Sequence, residues 1–234
     1  MSSGRDGGGD RSSGVAAVRT AGTARPDRDG EPAPSALRSV QAAVRGIRSP
    51  LVLIDGPSGA GKSTLADALT ACWPGRPPHL VRLDDVYRGW SGLERAGAEL
   101  SRTLVSRWAR GEIGRWRHWD WANDRPGPFE HVHPGGALII EGCGAFAAGV
   151  PAPSALRIWV DAPDALRRRR ALDRDGGAFD PYWEMWDRQW RHAVHRTSPG
   201  ARADVRLRAA PDGRTEPGSD PGAAPVHVRS RGIT

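Results

Sequence analysis

Lys62 is the single lysine of the chain, and every other one of its 34 basic side chains is arginine. It falls in Gly56-Pro57-Ser58-Gly59-Ala60-Gly61-Lys62-Ser63, which satisfies G-x-x-x-x-G-K-[ST] at each fixed position. Glycines let a backbone wind tightly enough for its N–H groups to surround a phosphate chain. The helix that follows adds the positive end of its dipole. A compact ammonium on a flexible stem suits the lysine position better than a planar guanidinium. The octet therefore predicts a phosphate-binding loop for ATP, with Gly56, Ser58, Gly59, Ala60, Gly61, Lys62, Ser63 and Thr64 at the nucleotide and the Ser63 hydroxyl on Mg²⁺.

Other side chains with chemical capacity are acidic residues at the ends of apolar runs. In an open parallel sheet ligands sit beyond the carboxyl ends of the strands, so Asp84, Asp85, Glu141 and Asp161 are candidates. Glu141 follows Leu138-Ile139-Ile140 and is placed like a Walker B carboxylate, a second magnesium ligand beside Ser63. Asp84 or Asp85 could accept a proton from an attacking hydroxyl, with helix capping or magnesium binding as the competing role. Neighbouring carboxylates on a strand point to opposite faces, so one of the two should face the phosphates.

Arg167, Arg170 and Arg174 stand at i, i+3 and i+7, three guanidiniums on one helix face. Such a stripe could close over ATP and offset charge on the transferring phosphoryl group; a solvated face is the plainer reading. Trp116, Trp119 and Trp121 gather around Asp120 in a chain that holds ten tryptophans. Rings beside a carboxylate could stack on a nucleobase while the carboxylate binds sugar hydroxyls, and loop anchoring is the alternative. His118, His131 and His133 have poor spacing for a metal and receive no ligand role.

The elements that must hold these groups follow from periodicity. A helix over 35–46 precedes strand one at 51–55, an apolar run suited to burial on both faces. From Lys62 the spacing becomes helical through Leu65, Ala68, Leu69 and Cys72, and Trp73-Pro74-Gly75 ends it. Strand two is expected at 79–83, a helix over 93–110, and a loop-dominated insertion rich in Trp, His, Gly and Pro over 111–134. Strands three and four follow at 137–141 and 156–160, helices at 163–175 and 181–195, and a fifth strand at 203–207. Alternating strands and helices imply a parallel sheet covered on both faces. The fold class is thus α/β, a three-layer P-loop NTPase of the nucleoside or nucleotide kinase kind with a five-stranded parallel sheet and an arginine-rich lid.

Residues 1–34 and 211–234 are rich in Gly, Ser, Arg, Asp and Pro without apolar periodicity and read as tails. One domain is left, at 35–210. The formal charge of +7 suits a protein that handles polyanionic nucleotides. No basic-aromatic repeat, zinc spacing or helix-turn-helix pattern accompanies it, so nucleic acid is not the expected partner. Two cysteines, Cys72 and Cys143, are too few for a disulfide framework and read as buried free thiols. Without a signal-peptide core or a membrane-length apolar run, the expectation is a soluble cytoplasmic protein.

Taken together, GPSGAGKST at 56–64, LDDVYRGW at 83–90, WDW at 119–121, IIEG at 139–142 and RRRRALDRDG at 167–176 resemble the uridine kinase family of P-loop nucleoside kinases. In order and spacing they are similar to its P-loop, its Asp-x-Phe-Tyr base segment, its substrate-contacting Tyr-Asp-Phe, its Walker B strand and its arginine lid. The resemblance spans about residues 50–207. It implies Asp84 as the base, Tyr87 beside the acceptor, Asp120 with Trp121 as ribose or acceptor ligands, and Arg170 and Arg174 as catalytic lid contacts. Departures are Val86 where the family has Phe, Trp around Asp120, and the spacing of the lid arginines. They bear on the acceptor more than on the reaction.

A GTPase is disfavoured, because its guanine-reading Asn-Lys-x-Asp needs a lysine and the only one is in the P-loop. The expected activity is transfer of the γ-phosphate of ATP to a hydroxyl of a small acceptor, a nucleoside first. Alternatives are a kinase of a nucleoside monophosphate, sugar phosphate, vitamin precursor or antibiotic, and a non-catalytic ATP sensor. The last would need neither a base nor a lid.

Overall fold

The computed structural model describes residues 34–209 and 215–217. Helix α1 (Pro34–Val44) leads into β1 (Leu51–Asp55), the glycine loop and α2 (Lys62–Ala71). Then come β2 (His79–Arg82), a 3-10 turn at Leu83–Asp85, and α3 (Leu93–Leu100), which passes through a π turn at Ser101–Val105 into α4 (Ser106–Ala109). The chain continues through β3 (Gly114–Asp120), β4 (Arg125–Val132), β5 (Leu138–Glu141), β6 (Leu156–Asp161), α5 (Asp164–Arg174), α6 (Trp183–Thr197), β7 (Val205–Ala209) and β8 (Thr215–Pro217).

The main sheet has the order β2-β5-β1-β6-β7-β8. Its first five strands are parallel, as the sequence predicts, and β8 adds an antiparallel edge on β7. Successive side chains on a strand point to opposite faces, so β1 feeds two cores. Val52 and Ile54 pack with α1 and α2 through Val40, Leu65 and Leu69. Leu51 and Leu53 pack with α3, the π turn and α6 through Leu100, Leu104 and Trp186. All five residues of β1 are buried, which is why the run carries no polar alternation before Asp55.

Two expectations change. The 111–134 segment is not loop-dominated: β3 and β4 form an antiparallel hairpin with Gly114 opposite Val132 and Asp120 opposite Arg125. Its period-two pattern is present in buried Gly114 and Trp116 against exposed Arg115 and Arg117. Pro126, Gly127 and Pro128 mask it on β4. A two-stranded ribbon has two free edges, where a proline removes no ladder bond. The second change is Cys72, which lies exposed at the end of α2 rather than buried; Cys143 is buried.

Helix and strand ends move by a few residues. The last helix covers Trp183–Thr197 and the fifth strand Val205–Ala209, each displaced toward the C-terminus. The segment read as a tail at 1–34 lies outside the described residues except for Pro34, which opens α1. Of 211–234 only Thr215–Pro217 is described, and it is the strand β8. Among the described residues no helix is long and apolar enough to cross a membrane.

Candidate active site

The parallel register brings the loop and the acidic strand ends to one edge of the sheet. Ile54 pairs with Glu141 across β1 and β5, and Arg82 pairs with Glu141 across β2 and β5. Two glycines make the loop possible. Gly56 has φ 146° and a Cβ there would lie 1.9 Å from the Val160 carbonyl oxygen; Gly59 has φ 77° and a Cβ there would lie 1.9 Å from that of Arg167. The loop is therefore pressed between the end of β6 and the first turns of α5, in a left-handed backbone that only glycine adopts cheaply.

Lys62 is buried, and its Nζ donates to the Pro57 carbonyl at 2.8 Å while lying 3.6 Å from the Cys143 sulfur. The next residue, Ser63, donates its hydroxyl to Glu141 Oε1 at 3.0 Å. Arg82 reaches the same oxygen at 3.3 Å and also holds Asp67. Glu141 is 2% exposed. Burial pushes its pKa up, the Asp84 charge pushes in the same direction, and Lys62, Arg82 and Ser63 oppose them. Ser63 and Glu141 present adjacent oxygens, the donor type of a magnesium site that takes its remaining ligands from water and phosphate. Among the described residues no cluster of three or more His, Cys, Asp or Glu is placed to hold a metal unaided.

The 3-10 turn after β2 separates the two aspartates. Asp84 is exposed, and its charge acts on Glu141, Cys143 and Arg174. Asp85 is half-buried. Burial and then Asp84 raise its pKa, and the other charges acting on it are His118, Arg82 and Glu130, so Asp85 turns toward the hairpin. The hairpin supports this segment from outside: the Trp121 indole donates to the Asp84 carbonyl at 2.9 Å.

Several residues expected at ligands are engaged in holding the structure. Arg167, expected over ATP, is buried. Its Nε pairs with Asp164 at 2.8 Å, its Nη2 with Asp187 at 2.7 Å, and its guanidinium lies over the rings of Trp183 and Trp190. Tyr87 is 2% exposed; its hydroxyl donates to the Cys143 carbonyl at 2.9 Å and its ring meets Trp186 edge-on. Burial raises its pKa well above the ordinary value. Asp120 accepts the Asn123 amide at 3.2 Å and side chain at 2.8 Å, with Arg125 nearby, and so ties the hairpin turn. The hydrogen bond from the Asn123 side chain is the main cause of its lowered pKa. Asp161, at the end of β6, accepts the neighbouring Ala162 amide.

Arg170 and Arg174 follow Arg167 on α5, Arg170 half-buried and Arg174 exposed. Burial works against the Arg174 charge, but hydrogen bonds to Asp175 and the fields of Asp84 and Glu141 outweigh it and raise its pKa. The charge of Arg174, at the end of the three-arginine stripe, is thus stabilised by the acidic cluster.

Three contributors were not foreseen. Asp55 accepts the amides of Gly56, Gly144 and Phe146 at 2.7, 2.8 and 2.9 Å, fastening the first loop residue to the segment after β5. Its position directly before Gly56 at a strand end was the available signal. Trp186 donates to the Ser58 hydroxyl at 2.9 Å, joining α6 to the loop across 128 positions of sequence. Arg82 bridges Glu141 and Asp67. No local pattern marks either of these.

No protein-family model matches the chain and no curated protein matches it. Solved structures do. A possible uridine kinase from Bacillus stearothermophilus superposes with a TM-score of 0.50 at 20% identity, covering 74% of this chain and 95% of that one. A putative fructose transport system kinase from Silicibacter sp. TM1040 is similar at 24% identity over 59% of this chain and 80% of its own, with a TM-score of 0.42. In its parallel sheet, with the glycine loop between β1 and α2, the chain shares the α/β fold of that possible uridine kinase.

Proposed function

We propose that this protein is an ATP- and Mg²⁺-dependent kinase that transfers the γ-phosphate to a hydroxyl of a small acceptor, a nucleoside in the first instance. The observation that carries the reading is the asymmetry between the aspartates: the Asp84 charge acts on Glu141 and Arg174, whereas the charges acting on Asp85 are those of Asp84, His118, Arg82 and Glu130, two of them on the hairpin. A general base and a lid cation at one phosphate site serve transfer and have no use in a nucleotide sensor.

Loop amides between Ser58 and Ser63 and the Lys62 ammonium hold the phosphates. For this Lys62 exchanges its Pro57 carbonyl for phosphate oxygens. Ser63 and Glu141 would hold Mg²⁺, which offsets charge on the phosphates when bound. Asp84 accepts the proton of the attacking hydroxyl. Arg174, with Arg170 on the same helix, swings toward the oxygens that gain charge. The nucleoside acceptor is supported by the fold and by an aromatic group beside Asp84, in which Trp90 lies 5.0 Å from Trp121 and stacks on Tyr182 at 4.4 Å.

ADP release from ATP and Mg²⁺ is measured against nucleosides, nucleoside monophosphates and small alcohols. One acceptor is expected to stimulate release. Asp84→Asn should lower kcat by about 10²–10⁴-fold with ATP affinity little changed, and Asp85→Asn should retain most activity. Equal loss in both variants would remove the assignment of the base. ATP binding with no acceptor-stimulated release across the panel would point to a sensor.

A further inference from the structure

Away from the P-loop, a cavity of about 700 Å³ opens between α6, the start of α3, the turn after β5 and the 3-10 turn before β7; residues 56–64 take no part in its lining. Its size is that of small-molecule sites, about 300–1,000 Å³. Much of its wall is apolar and comes from Leu93, Phe146, Ala147, Trp190, Ala193 and Val194.

The polar groups of the wall decide what could fill it. Asp55 is consumed by three backbone amides. Asp204 accepts the Arg157 amide at 2.8 Å. Glu94 pairs with Arg196 at 3.2 Å and with His192 at 3.6 Å. The Arg157 guanidinium donates to the carbonyls of Gly149, Pro153 and Ala155, and Thr197 donates to the Ala193 carbonyl. Arg202 alone among the charged lining residues has no side-chain hydrogen bond or ion pair with any described residue. Every carboxylate of the wall has a partner among the described residues, and the charged side chain without one there is a cation, Arg202, exposed at the rim.

We infer that this cavity is a second ligand site, for a small monoanion with an apolar, ring-sized body whose charged group pairs with Arg202. Guanidinium binds carboxylate or sulfonate oxygens through paired N–H donors, while the apolar wall removes the body from water. The site is independent of the phosphoryl-transfer reading.

The test uses the full-length protein and two fluorescent probes of similar shape, 8-anilinonaphthalene-1-sulfonate and its uncharged relative N-phenyl-1-naphthylamine. The sulfonate should bind saturably at one site, persist in the presence of saturating ATP, and bind at least about tenfold more tightly than the neutral probe. Ala193→Trp, which fills the cavity, and Arg202→Glu should each weaken sulfonate binding about tenfold or more, with the neutral probe unaffected by Arg202→Glu. Circular dichroism identifies any variant that fails to fold, and Arg202→Gln then replaces the charge reversal. The inference is overturned by equal affinity for the two probes, by unchanged sulfonate binding in the variants, by an absence of saturable binding, or by displacement with ATP.

Discussion

Arginines on one face of α5 stand in two different settings, separated by burial. Arg167 is 2% exposed between Asp164, Asp187 and two indole rings, whereas Arg174 is 51% exposed and feels the charges of Asp84 and Glu141. A cation removed from water needs its partners, and deleting one member of a buried pair strands the other. Arg167→Ala should therefore destabilise the fold by about 3–5 kcal/mol, read as a shift in denaturant midpoint. Arg174→Ala should leave that midpoint in place and lower kcat by roughly 10²–10³-fold, the usual loss when one donor to developing charge is removed. A reversed pattern, with Arg174→Ala unfolding the protein and Arg167→Ala sparing it, would exchange their roles. The i, i+3, i+7 spacing shows that these side chains share a face. It does not reveal that α6 covers the first turn of that face and leaves the last turn to the cleft, because Asp187 and Trp190 come from a separate helix.

At the scale of elements, the pieces legible in the sequence are those whose cause is local. The glycine loop, the buried run of β1 and the helical spacing after Lys62 each follow from neighbouring residues, and they stand where the periodicity predicts them. The hairpin was hidden by prolines in a two-edged ribbon, where the rule that excludes proline from central strands does not operate. Tethers between distant segments were hidden for another reason: nothing near Trp186 reports that its indole will reach Ser58. That bond fixes α6 against the glycine loop. Trp186→Phe keeps an aromatic ring while removing the donor, at a cost of about 1 kcal/mol for one hydrogen bond. ATP affinity measured by calorimetry should fall roughly fivefold with little change in far-ultraviolet circular dichroism. Unaltered affinity would show that the loop is held without α6.

At the scale of the whole molecule, the fold accepts a stability penalty at the edge where the parallel strands end. Asp55 and Glu141 are each 2% exposed, and burial raises the pKa of both despite the amides, Lys62 and Arg82 around them. A carboxylate whose folded-state pKa lies above its unfolded value contributes most at acid pH, and that contribution is lost as pH rises through the folded value. These two therefore oppose the usual acid lability, and their effect on stability declines upward from their ordinary values of 3.8 and 4.5. Glu141→Gln preserves shape and can still accept from Ser63 while removing the buried charge. In metal-free buffer the variant should melt above the parent at pH 8, and the gap should close as pH falls toward 4.5. Each unit of pKa elevation corresponds to about 1.4 kcal/mol. Adding Mg²⁺ with ATP should stabilise the parent by mass action and the variant much less, since the variant lacks the carboxylate that would face the ion. A Glu141→Gln protein that melts below its parent at every pH would mean that the Arg82 and Ser63 contacts outweigh the cost of the buried charge, and that this edge of the sheet is built for stability rather than for a ligand.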